Sequence, residues 1–221
     1  MIKVNLEEIA GFESAVKAMR NPMNSWWKSD SHLQTVIDDD GQHEEFVLGQ
    51  EDLKLMQNLF NAGVEHRTYA RMIQVWMTID APLYWWKEMD RYTVGKTQVS
   101  CSTMHKIHAK EFTLDDFSLE NVVGVEATRV MEAVVNALNR ARDGYLSCMD
   151  KLKRTDLTEA ERKHIIRQKK AFFDTMIQLL PSSYNQKRTI NMNYEVCMKI
   201  WKERHNHKLK EWHILCDFIL D

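Results

Sequence analysis

Hydrophobic positions along the chain follow first a period of two and then, over long stretches, a helical period. Ile2, Val4 and Leu6 alternate with Lys3, Asn5 and Glu7, so residues 2–9 read as a strand. Ser14 is placed to cap a short helix over 15–19, which Asn21-Pro22 stops. Residues 29–50 are polar, contain Asp38-Asp39-Asp40-Gly41, and read as a surface loop. Residues 51–61 place Leu53, Met56 and Phe60 on one face of a helix, with Gly63 beyond its end. Residues 72–79 are rich in β-branched and large side chains and read as a strand. Pro82 fits the first turn of a helix that runs to about Arg91. Residues 94–104 read as a loop.

A long helix is expected over about 126–152, where Val130, Val134 and Leu138 recur four apart. Thr158 and Glu161 have the spacing of a capping box and open a helix to about Leu179. Pro181-Ser182-Ser183 ends it, residues 187–191 read as a strand, and two last helices cover about 193–202 and 207–220. The pattern predicts an α+β protein, with one domain spanning 1–221 and no internal repeat.

Composition narrows the functional classes. Thirty basic and 32 acidic residues give a net charge of −2, which leaves no electrostatic footprint for duplex nucleic acid. Small anions remain partners, because a pocket is basic or acidic independently of the net charge. No run of about 18 apolar residues predicts a membrane span, and the first ten residues lack a cleavable signal pattern. Cys101, Cys148, Cys197 and Cys216 form no Cys-x-x-Cys pair and are expected as reduced, mostly buried thiols of a cytoplasmic protein.

There is no phosphate loop, no dinucleotide glycine fingerprint and no nucleophile elbow. His105 and His108 share a face if their segment is helical, and His205, His207 and His213 gather near the end. Without a His-Glu-x-x-His or a cysteine pair, these read as satisfied surface or pocket histidines, and no metal is expected. Trp26-Trp27 and Trp85-Trp86 either pack a core or subunit contact or stack on a flat ring.

Three segments together resemble the flavin-dependent thymidylate synthase family. The first reads Ala62-Gly63-Val64-Glu65-His66, then a strand, then Ala81-Pro82-Leu83-Tyr84, then Lys87-Glu88-Met89-Asp90-Arg91-Tyr92-Thr93. The family has a helix ending in Gly-His, a strand closing on Ala-Pro, and a helix delivering an Arg-Gln-x-x-Arg-His-Arg signature. The second is the loop Gln98-Val99-Ser100-Cys101-Ser102, where the family carries Asn-Glu-x-Ser-x-Arg-Tyr. The third runs from Leu180-Pro181-Ser182-Ser183-Tyr184 through Arg204 to Trp212 and is similar to the family's Leu-Pro, strand, Asn-x-Arg helix and Gln-Trp-Glu ending. Ala15-Val16-Lys17-Ala18-Met19-Arg20 is a weaker echo. The departures are specific: the signature stands as Arg91-Tyr92-Thr93, its Gln as Glu88, and the arginine before Leu-Pro as Ile177 or Gln178. The strict register of the substrate serine falls on Cys101, so Ser100 or Ser102 takes that role.

This resemblance implies an α+β fold with a central antiparallel or mixed sheet flanked by long helices, a homotetramer, and FAD as cofactor. Methylenetetrahydrofolate and NADPH are the implied co-substrates and a pyrimidine nucleotide such as dUMP the partner. The flavin supplies the redox chemistry, so no protein nucleophile is required and no catalytic residue is assigned. By resemblance, His66, Arg91, Tyr92, Asn193, Lys199 and His207 are candidate cofactor-binding residues. Glu88, Arg91, Ser100, Cys101, Ser102 and Arg204 are candidate substrate-binding residues. Arg91 and Arg204 offer forked donors suited to phosphate or a uracil carbonyl. Glu88 cannot donate while ionised, so it suits an amino-bearing base better than uracil. The expected function is reductive one-carbon transfer to a pyrimidine deoxynucleotide, dUMP to dTMP or a related methylation or hydroxymethylation. The alternative is a noncatalytic nucleotide-binding oligomer on the same scaffold.

Overall fold

A computed structural model describes residues 2–38 and 41–220. In chain order the elements are β1 (Lys3–Ala10), α1 (Phe12–Met19), β2 (His32–Asp38), β3 (Gly41–Val47), α2 (Gln50–Ala62), β4 (Gln74–Pro82) and α3 (Leu83–Met89). They continue with β5 (Lys96–Ser100), α4 (Thr103–Lys106), α5 (Val125–Lys151), α6 (Glu159–Leu179), β6 (Asn185–Asn193), α7 (Tyr194–Arg204) and α8 (Lys210–Leu220). Four strands form one sheet in the order β1-β4-β6-β5. The chain divides into two compact units, and these strands contribute residues to both. The first unit holds the chain through Lys3, Ile79–Arg91 and Val99–Arg188; the second holds Val4–Thr78, Tyr92–Gln98 and Thr189 onward.

In the first unit, α5 and α6 pack along each other over a core of Phe112, Phe117, Val135, Leu138 and Met176. Of the expected stripe, Val134 and Leu138 pack into this core, while Val130 is 61% exposed and stands outside it. Met131, Val135, Ala141 and Tyr145 complete the buried face at three- and four-residue spacing. Gly144 lets the helices approach: a Cβ there would lie 2.5 Å from the Phe172 ring. Thr158 and Glu161 form the expected capping box, with Glu161 N–H donating to Thr158 Oγ1 at 3.2 Å. Trp85 and Trp86 are fully buried and meet edge to face at 4.8 Å. Trp86 Nε1 donates to the Gln186 carbonyl at 2.8 Å, and the Arg188 guanidinium lies 4.3 Å from its ring. This pair is core and offers no face to a flat ligand.

In the second unit, α1, α2 and the 68–73 turn close a core around Ala15, Val16, Met56, Tyr69 and Ile73. Arg20 and Asp52 form a buried ion pair beside it, and Asp52 also accepts from Ser29 Oγ (2.5 Å) and Ser31 Oγ (2.7 Å). Burial raises the affinity of Asp52 for a proton, but the bonds from Ser29, Ser31 and Arg20 outweigh it and hold this carboxyl below its ordinary range.

Several expected boundaries shift. Gly11, not Ser14, precedes α1. The expected loop over 29–50 contains the hairpin β2–β3, registered from His32 opposite Val47 to Asp38 opposite Gly41. Leu33 and Ile37 are exposed there, so no one-sided apolar alternation marks it as strand. Asp39 and Asp40 of the acidic run lie outside the described residues. The expected loop over 94–104 contains β5 and the start of α4. Pro82 ends β4 with extended backbone and precedes α3 instead of opening it. Trp26 and Trp27, unlike Trp85 and Trp86, are exposed and stand outside the core.

Candidate functional site

Two groups of polar side chains stand out, one in each unit. The first is a cleft built from the end of β4, the segment after β5 and the start of β6. β4 alternates Val75, Met77, Ile79 and Ala81, all buried, with half-buried Gln74, Trp76, Thr78 and Asp80. Asp80 is the one charged side chain of that second face. The 101–102 segment is pinned to β6: Cys101 N–H donates to the Lys187 carbonyl (2.9 Å), and Gln186 Nε2 donates to the Cys101 carbonyl (2.8 Å). Ser102 Oγ then accepts from His105 N–H (3.1 Å) and opens α4.

The result is a cavity of about 340 Å³ with Asp80, Cys101, Ser102, Lys106, Tyr184 and Lys187 on its walls. Lys110 also faces it but is ion-paired to Asp116. Burial, followed by the carboxylates of Asp116 and Asp80 and the Cys101 thiol, pushes the Tyr184 phenol up, so it stays a donor. Among the described residues its hydroxyl makes no hydrogen bond, and Lys106, Lys187, Asp80 and Asp115 make no side-chain hydrogen bond or ion pair.

The second group surrounds Tyr92. Lys199 and Glu203 stand four apart on α7, hence on one face, and Arg204 follows at its end. Tyr92 is buried; its hydroxyl donates to Glu203 Oε2 at 2.8 Å and accepts from Arg204 Nε at 3.0 Å. The Arg204 guanidinium sits 4.8 Å from the Trp212 ring centre and 5.7 Å from that of Tyr92, with Lys199 Nζ 5.9 Å from the latter. Burial pushes the Tyr92 phenol up, Arg204 opposes that, and Glu203 adds to it. His207 meets the edge of Trp212 at 6.1 Å, and its Nδ1 accepts from Leu209 N–H at 3.1 Å.

The remaining expected residues fall as follows. Asn193 is the cap of α7: its Oδ1 accepts from Val196 N–H at 3.0 Å, and its own N–H donates to the Gly95 carbonyl at 3.1 Å. Gly95 has a φ of +72°, and a Cβ there would lie 2.5 Å from Asn193 Nδ2, so this contact requires glycine. His66 is exposed on a 3₁₀ turn, with Nε2 3.7 Å from the Glu65 carboxylate. Arg91 is exposed, and its side chain makes no hydrogen bond or ion pair among the described residues. Glu88 is half-buried on α3. Cys101 and Ser102 line the cleft; exposed Ser100, the last residue of β5, is not among its lining residues.

His105 and His108 do not share a helical face, since α4 stops at Lys106. His108 packs on Tyr145 at 4.6 Å, and burial followed by the charges of Lys106, Arg142 and Lys169 lowers its proton affinity. Among the described residues no three metal-ligating side chains gather. The cleft residues not expected from the sequence are Asp80, Lys106, Asp115, Tyr184 and Lys187. The signal available for Asp80 was an acid near the end of an otherwise uncharged strand.

No helix among the described residues is long and apolar enough to cross a membrane. No protein-family model matches the chain, and no curated protein matches it by sequence. Solved structures do. Flavin-dependent thymidylate synthase ThyX from Helicobacter pylori, complexed with FAD and dUMP, is similar to it with a TM-score of 0.61 and 16% identity, over 97% of this chain and 90% of that one. A second structure of Thymidylate Synthase X from Helicobacter pylori with FAD and dUMP gives 0.56 and 15% over the same shares. The chain therefore has the fold of the flavin-dependent thymidylate synthases.

Proposed function

We propose that the chain is a divergent flavin-dependent thymidylate synthase-like enzyme that transfers a one-carbon unit reductively to a pyrimidine deoxynucleotide. The supporting observation is a fold shared over 97% of its length with proteins solved in complex with FAD and dUMP. Converting dUMP to dTMP is the parent reaction, and a methylation or hydroxymethylation of a related pyrimidine is the variant. The whole chain, 1–221, acts as one domain in this reading, in a homotetramer of the cytoplasm.

The residues fit FAD in charge. In the second unit Lys199 is exposed and makes no hydrogen bond or ion pair among the described residues, which suits an anionic pyrophosphate. Arg91, in the first unit, is a second exposed cation, with a guanidinium in place of the ammonium. FAD would carry the redox chemistry, with NADPH as reductant and methylenetetrahydrofolate as one-carbon donor. The chain's own residues bind and orient: Lys199 and His207 toward the cofactor, and Ser102 and Cys101 with the cleft cations toward the nucleotide.

Tyr92 favours a second reading. It stands where the family has the histidine of its signature, and it takes the Nε of Arg204 for itself. A noncatalytic nucleotide-binding oligomer would retain the cleft and dispense with the flavin. Incubating the purified protein with FAD, NADPH, methylenetetrahydrofolate and either dUMP or dCMP separates the two. The enzyme reading expects a product heavier by one carbon unit by mass spectrometry; nucleotide binding without any product supports the second.

A further inference from the structure

The cavity beside Cys101 does not end at Asp80. A second cavity of about 630 Å³ in the same unit shares Asp80, Asp115 and Asn185 with the first, of about 340 Å³. The walls of the two differ. The first has the ammonium groups of Lys106 and Lys187 and the hydroxyls of Ser102 and Thr103. The second has Leu114, Phe117, Leu119 and Met131 on one part of its wall, with Lys3, Glu120 and Thr128 also lining it. The carboxylates stand where the two meet.

We propose that this continuous cleft takes a nucleoside monophosphate with an amino-bearing pyrimidine, a cytosine-type base, and that Asp80 and Asp115 discriminate it from uracil. The assignment rests on the reading that the protein acts on a pyrimidine deoxynucleotide, and it names the base. Lys106 and Lys187 meet the phosphate, helped by the Ser102 and Thr103 hydroxyls. The ring lies against the apolar wall, with its amino edge toward the carboxylates.

Unspent groups carry the argument. Among the described residues Asp80 and Asp115 accept no side-chain hydrogen bond, whereas neighbouring Asp116 is tied to Lys110 and to the Thr113 N–H at 2.9 Å. A carboxylate is an acceptor only. The 4-amino group of cytosine supplies a donor to it; uracil presents a carbonyl oxygen there, and two acceptors facing each other are repelled. The phenol of Tyr184, a donor with no hydrogen-bond partner among the described residues, lines the cavity where an acceptor of the ligand would meet it. Glu88 lines neither cavity.

The test is calorimetry of the full-length protein with dCMP, dUMP and inorganic phosphate, on the wild type, Asp80→Asn and Lys106→Ala/Lys187→Ala. The proposal expects dCMP to bind roughly 10-fold or more tighter than dUMP, the span of one good base-edge contact. Asp80→Asn, whose amide both donates and accepts, narrows that ratio several-fold. The double lysine variant weakens both nucleotides alike, since phosphate is common to them. Thermal unfolding of each variant separates a lost contact from a lost fold. Equal binding of dCMP and dUMP, a preference for dUMP, or an unchanged ratio in folded Asp80→Asn overturns the assignment, as does binding of phosphate alone.

Failure of the two readings is distinguishable. A dUMP preference accompanied by a flavin-dependent product leaves the enzyme reading standing and overturns only the base. A dCMP preference sensitive to Asp80→Asn, without any flavin effect, supports the cleft and counts against the flavoenzyme.

Discussion

The cleft at Asp80 and the cluster at Tyr92 are made of the same materials, lysines, carboxylates and a tyrosine, and they use them oppositely. Around Tyr92 the hydroxyl both donates to Glu203 and accepts from Arg204, and the Arg204 guanidinium covers Trp212. In the cleft Lys106, Lys187, Asp80, Asp115 and the Tyr184 hydroxyl have no such partner among the described residues. Buried polar groups are satisfied inside the protein because leaving them unpaired costs free energy. Polar groups left over on a concave wall are available to a ligand. The contrast teaches that matching residue types do not make matching sites, and substitutions in the two places should read out differently.

The largest expected effect lies in the fully paired network beside the second unit's core. Arg20→Ala leaves Asp52 buried without its cation and is expected to cost about 3–5 kcal/mol in urea denaturation. Asp52 is held below its ordinary value near 3.8, so the unfolded chain takes up this proton first as pH falls. The stability it contributes is therefore complete above about pH 4 and is lost as pH drops through the folded value. Unfolding midpoints measured from pH 7 to pH 3 should fall at the acid end, and the acid-end fall should shrink in Asp52→Asn.

A smaller loss is expected from Tyr92→Phe, about 1–3 kcal/mol, because the hydroxyl's two part-buried hydrogen bonds, each to a charged group, are lost. An unchanged denaturation curve would mean that the hydroxyl bonds are not part of what holds α7 and α8. Comparable in size is Gly144→Ala, whose added methyl meets the Phe172 ring and should cost about 1–3 kcal/mol unless the helices part. The smallest stability effect belongs to the cleft: Lys106→Ala/Lys187→Ala should stay within about 0.5 kcal/mol per substitution while nucleotide affinity falls. A destabilisation as large as that of Tyr92→Phe would erase the distinction between the two regions.

Much of the fold was legible in the sequence where a period was strong. The capping box at Thr158, the long helices α5 and α6, and the strand at 187–191 follow from spacing alone. The hairpin β2–β3 was not, because both of its faces are largely exposed and its pairing is carried by the backbone. On α5 the expected stripe met the core at Val134 and Leu138 and missed it at Val130, because a strict four-residue spacing drifts about 40° per step from the helical period.

The candidate site was legible as a location more than as a list. Cys101 and Ser102 reach the cleft because the segment after β5 is tied to β6 by backbone bonds. Asn193, expected as a cofactor contact, caps α7 with its side-chain carbonyl oxygen. Asp80, Tyr184 and Lys187 come together only through strand pairing, which residue spacing does not encode. Lys106 and Asp115 face the same cavity from a short helix and a 3₁₀ turn whose orientation depends on the core beneath them.

The most direct test of the central claim is a visible absorption spectrum of the purified full-length protein after incubation with FAD and removal of the excess, followed by titration with dUMP and dCMP. The account predicts flavin bands that stay with the protein and shift when a pyrimidine nucleotide is added. A protein that retains no flavin, or whose flavin bands respond to neither nucleotide, would contradict it.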